Sequence, residues 1–62
     1  MEKNINDYSC YFGLECMVIS ITNDTYFGIV QPLSKDKISI EGREIITYLP
    51  IEHISSIVNL KS

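Results

Sequence analysis

The stretch from Phe12 to Val30, FGLECMVISITNDTYFGIV, carries two apolar runs, a polar turn and two glycines in the order a β-hairpin requires. Glu15 to Ile21 reads as the first strand. Cys16 and Val18 fall on one of its faces and Met17, Ile19 and Ile21 on the other, so both faces are apolar and both call for cover. Thr22, Asn23, Asp24 and Thr25 supply the turn, because Asn and Asp tolerate left-handed backbone and bond to their own main chain. The return strand, Tyr26 to Gln31, sets Tyr26, Gly28 and Val30 against Phe27 and Ile29. A glycine in mid-strand weakens it, and Gly28 therefore predicts sharp curvature or the close approach of another backbone, as in a small barrel.

The rest of the chain packs onto that hairpin. On the N-terminal side, residues 1–6 read as a loose lead-in, and DYSCYFGL equally as a short helix, with Asp7 as N-cap and Gly13 just past its end, or as an extended lead-in strand. Tyr8, Tyr11 and Phe12 would share one face of the helix. On the C-terminal side Pro32 is expected to end regular pairing, with Leu33 to Asp36 a loop whose leucine plugs the barrel end. Lys37 to Ile40 reads as a strand with Ile38 and Ile40 inward. Glu41-Gly42 reads as a tight turn with the glycine at positive φ, and Arg43 to Leu49 as the returning strand. Pro50 then opens a 3-10 turn in which Ile51, Ile54 and Ile57 recur every three residues and are expected to be mostly buried. Ser56 to Leu60 is the last strand. The expectation is a mainly β, five-stranded small barrel in one domain, residues 1–62.

Composition narrows the function classes. A chain of 62 residues buries only a modest core, and oligomerisation is the simplest supplement. The hydrophobic fraction of 45%, dominated by isoleucine, favours strands and argues against disorder. Net charge is −3, and Lys3, Lys35, Lys37, Arg43 and Lys61 form no run that would track a phosphate backbone. The N-terminal MEKNINDYS lacks the apolar region of a signal peptide, and no segment approaches about 18 consecutive apolar residues. A cytoplasmic protein with no membrane contact is expected, its two cysteines, Cys10 and Cys16, being thiols.

Chemistry-bearing constellations are weak. His53 is the single histidine and reads as an exposed or capping residue, since neighbouring Glu52 would point away from it. Cys16 reads as a core cysteine with no basic neighbour to activate it. Glu41, Glu44 and Glu52 form no obvious catalytic pair, and a domain this small is expected to lack the roughly 300 Å3 pocket of small-ligand sites. The expectation is a non-enzyme without metal or cofactor.

The order aromatic-glycine, alternating apolar residues, polar turn, aromatic-x-glycine-x-aliphatic is similar to the opening strands of the Sm and LSm family. It is carried here by Phe12-Gly13, Cys16, Val18 and Tyr26-Phe27-Gly28-Ile29-Val30, with the family's usual separation of the two glycines. The late segment from Tyr48 to Ile57 resembles small bacterial barrel proteins of Sm-like or PRC-barrel-like type. The resemblance implies an SH3-like barrel, assembly into a ring and RNA binding. The family's RNA loop has no counterpart in Gln31 to Lys37, and Glu52 stands where the bacterial branch has a histidine. The favoured expectation is thus a self-associating or protein-interaction module, a homo-oligomer with a protein or peptide partner, and an Sm-like RNA binder is the alternative. Tyr8, Tyr11, Phe12, Phe27, Ile29 and Tyr48 are the candidate interface or ligand contacts.

Overall fold

The structure, a computed structural model, describes residues 3–60. A 3-10 helix η1 (Ile5–Tyr11) precedes strands β1 (Glu15–Ser20), β2 (Thr25–Ser34), β3 (Lys37–Glu41) and β4 (Ile46–Pro50). A 3-10 turn η2 (Ile51–His53) then leads into β5 (Ile54–Asn59). All pairings are antiparallel in one sheet ordered β4-β3-β2-β1-β5. The expected mainly β architecture, with five strands and a 3-10 turn before the last, is the one adopted, and the N-terminal segment is helical, in 3-10 form. The sheet is open: β4 and β5 are its two edges and do not pair with each other.

Strand β2 shapes the sheet. Its first half pairs with β1 and its second with β3, the exchange falling at Ile29, which faces Glu15 on one side and Glu41 on the other. A Cβ on the preceding residue, Gly28, would lie 2.5 Å from the Glu41 carbonyl oxygen and 2.6 Å from its carbon. Glycine is therefore required for space, as the close backbone approach expected in mid-strand. Pro32 does not end β2; it stays opposite Ile38, with a register shift before Ser34. Val30 still exchanges backbone bonds with Gly13 and Leu14, but after it the ladder partners of β2 are on β3, so Pro32 occupies a half-edge where a residue without an N–H is tolerated. Leu33, expected to plug the barrel, is half exposed.

The β1–β2 turn is built around a buried hydroxyl. Ser20 Oγ accepts from the backbone N–H of Asp24 at 3.1 Å and of Thr22 at 3.3 Å, and lies 2.8 Å from Thr22 Oγ1. The Thr22 hydroxyl donates to the Asp24 carboxylate at 2.9 Å, so Ser20 supplies the proton shared by the two hydroxyls. Asn23 takes the left-handed conformation at φ 68°, as its residue type allows. The second turn differs from expectation. Gly42 does not have positive φ, and β4 begins at Ile46 rather than Arg43. Gly42 donates to the Ile45 carbonyl at 2.9 Å, and a Cβ there would meet the Ile45 and Phe27 oxygens at 3.2 Å. The hairpin end is thus folded against β2.

Cys16, Val18, Val30, Ile38, Ile40, Leu49, Ile51 and Ile54 form the core on the inner face of the bent sheet. Ile51 and Ile54 are buried and Ile57 half-buried, as the three-residue spacing predicted. The Ile51 N–H bonds to the Asp36 carbonyl and the Ile21 N–H to that of His53, which anchors η2 to both neighbouring turns. Pro50 is the last residue of β4 and the N-cap of η2.

Helix η1 starts earlier than the sequence suggests. Asn4, not Asp7, is the cap: Asn4 Oδ1 accepts from the Asn6 N–H at 2.9 Å, and Asp7 Oδ2 accepts from the Asn4 N–H at 3.1 Å. Ile5, Tyr8 and Tyr11 then line one face at the three-residue repeat of a 3-10 helix and pack against the core. Phe12 caps the C-terminal end, and Gly13 follows at φ 79°. The Lys3 ammonium donates to the Ile54 carbonyl. Of the expected loose lead-in, Met1 and Glu2 lie outside the described residues, whereas Asn4 to Asn6 belong to the capped helix.

Replacing Gly28 by Ala should lower stability by about 1–3 kcal/mol, because the methyl group meets backbone rather than a side chain that can turn away. For a domain of this size each kcal/mol moves Tm by about 4–8 °C. An unchanged melting temperature would mean that the end of β3 does not approach Gly28 this closely.

Candidate functional site

Cross-strand partners project from the same face of a sheet, so the register defines the outer surface. Val58, Met17 and Phe27 form one continuous row across β5, β1 and β2. The next row runs Glu15, Ile29, Glu41 and Ile46 across β1 to β4. Phe27 is 59% exposed; Ile29, Ile46 and Val58 are exposed and Met17 is half-buried. The outer face thus carries an apolar band with a carboxylate on either side of Ile29.

A groove of about 500 Å3 opens on this side. It is lined by Glu15 of β1, Phe27, Gly28 and Ile29 of β2, and Glu41, Gly42 and Arg43 at the end of β3 and in the turn after it. It exists because the end of β3 comes close to Gly28 and holds the 42–45 turn beside β2. The expectation that so small a domain lacks a space of about 300 Å3 is thereby corrected: the concavity lies between a hairpin end and the sheet, outside the core. The side chains of Glu15, Glu41 and Arg43 are exposed and form no ion pair with any described residue.

The six sequence-derived candidates separate. Phe27 and Ile29 meet in the groove. Tyr48 is 60% exposed on β4, opposite Ser39 and away from the groove. Tyr8, Tyr11 and Phe12 are half-buried against the core, on the inner side of the sheet. Sequence reasoning missed Val58 on the apolar row and the charged trio at the groove. The register alone brings these together, and only Arg43, one residue past a glycine turn, carried a local hint.

The two thiols occupy different surroundings: Cys10 is exposed and Cys16 is buried, as a core cysteine. Both are free. Cys16 Sγ lies 3.5 Å from the Leu14 carbonyl and 3.9 Å from that of Tyr11, donating toward both. Burial, and to a lesser degree the Cys10 thiol, pushes Cys16 above the ordinary thiol value. His53 is exposed on η2, where its carbonyl accepts the Ile21 bond. No group of three or more potential metal ligands is found among the described residues, and no described helix is long and apolar enough to cross a membrane.

Comparison with protein families, curated proteins and solved structures finds no match for the chain.

Alkylation of the native protein by iodoacetamide should give one adduct, at Cys10, and two adducts after denaturation. The raised Cys16 value also sets a sign. Its contribution is intact below the unfolded thiol value of 9.0 and is lost as pH rises above it, because the unfolded thiol ionises while the buried one does not. Equal labelling of both cysteines in the native state would contradict the burial.

Proposed function

We propose that this protein is a non-enzymatic, cytoplasmic interaction module that self-associates through the outer face of its sheet. One observation carries the reading. The three aromatic residues of the N-terminal segment pack against the inner core, and among the described residues Phe27, Val58 and Ile29, in and beside the row through half-buried Met17, remain exposed. Contiguous exposed apolar surface of more than a few hundred Å2 marks contact sites in soluble proteins. A domain with so small a core also gains stability by burying such a face against another molecule. The two free thiols fit a reducing compartment. The strand order, with η2 joining β4 to β5, supports the likeness to Sm-like small barrels at the level of architecture. The groove's two carboxylates to one cation favour protein contacts over a phosphate backbone.

Sedimentation at about 100 μM, where weak contacts begin to register, tests this reading. The wild type should sediment at twice the chain mass or more. Phe27→Asp should remain folded by circular dichroism and sediment as a monomer. A monomeric wild type would remove self-association, and a ring that retains uridine-rich RNA would replace it with the Sm-like alternative.

A further inference from the structure

The β3–β4 hairpin end sets a projection beside a recess. Ile45, in the turn, is 71% exposed, the most exposed of the large apolar side chains. The groove next to it has Phe27 and Ile29 in its wall. A projection and a recess side by side on one surface are what a self-complementary interface requires, since each copy must offer both.

Charge gives the same answer. Glu41 and Arg43 flank Gly42, are exposed, and lack an ion-pair partner among the described residues. A two-fold axis near Gly42 would run residues 41–43 of one copy opposite residues 43–41 of the other. Each Glu41 then meets the Arg43 of the second copy, forming two equivalent ion pairs. A purely basic ligand would face Arg43 in the same recess, and a purely acidic one would face Glu15 and Glu41. A second copy satisfies both signs.

Resting on the self-association reading above, we propose that two copies dock about this axis. Ile45 of each enters the groove of the other, and Glu41 of each pairs with Arg43 of its mate. The apolar contacts supply the attraction and the ion pairs fix the register, the role charges most often have at interfaces.

Charge reversal tests the reciprocity. Arg43→Glu and Glu41→Arg are exposed changes, and each should place like charges at both crossings and weaken the dimer at least tenfold in sedimentation equilibrium. An equimolar mixture of the two variants restores opposite charges at both crossings, as does the double variant, and both should dimerise like the wild type. Circular dichroism should show all the variants folded. If the single variants sediment as the wild type while Phe27→Asp is monomeric, self-association stands and this docking mode is wrong. Dissociation of the single variants without rescue in the mixture would equally overturn the pairing, and a monomeric wild type would overturn both proposals.

Discussion

The fold depends on one close approach, that of the Glu41 carbonyl to the backbone of Gly28. Because no side chain intervenes, the end of β3 can close in on β2 where β2 changes partner from β1 to β3. The bend gives the sheet an inside. Val18 and Val30 from the first hairpin can then meet Ile38, Ile40 and Leu49 from the second around a shared core. The same close approach holds the 42–45 turn beside β2 and so creates the groove. Core and surface site therefore have one cause, and a side chain at residue 28 would disturb both.

Polar groups secure what the bend brings together. Ser20 is buried, yet its hydroxyl serves two backbone N–H groups and a neighbouring hydroxyl, so the tight β1–β2 connection leaves no unsatisfied donor at that point. The reciprocal Asn4 and Asp7 cap does the same for η1, a helix too short to persist alone. With its ends fixed, η1 can lay Ile5, Tyr8 and Tyr11 over the core, enlarging a hydrophobic interior that five short strands would leave thin. That use of the aromatic segment also keeps it from covering Phe27, Ile29 and Val58 on the outer face.

Side-chain alternation made the strand faces legible. Cys16, Val18 and Val30 point inward and Phe27 and Ile29 outward, as a period of two requires, and the Ile51 and Ile54 spacing identified η2. Periodicity reports which face a residue takes, not which strand lies beside it. Hence Pro32 predicts a stop, although its place on a half-edge lets β2 continue. Gly42 predicts a positive φ because glycine turns commonly need it, whereas here it makes room for the Phe27 and Ile45 carbonyls. Asp7 is a good cap residue in isolation, but Asn4 extends the helix far enough to pack Ile5 against the core as well. The groove could not be read at all, since Glu15, Ile29 and Glu41 become neighbours only through pairing across three strands.

An open sheet offers two routes to association, its edges and its face, and the chain treats them differently. Edge strands invite pairing unless blunted by proline, charge or irregularity. Strand β4 ends in Pro50, which has no N–H to donate. Strand β5 begins with the Lys3 ammonium on the Ile54 carbonyl and a register shift against β1. Both edges thus carry features that discourage strand addition. The outer face carries the reverse: Val58, Met17 and Phe27 adjoin without an intervening charge, and Glu15, Glu41 and Arg43 stand at the groove beside Ile29. Packing face to face buries that row and leaves the blunted edges in water, whereas edge pairing would engage the blunted backbone and leave the row exposed.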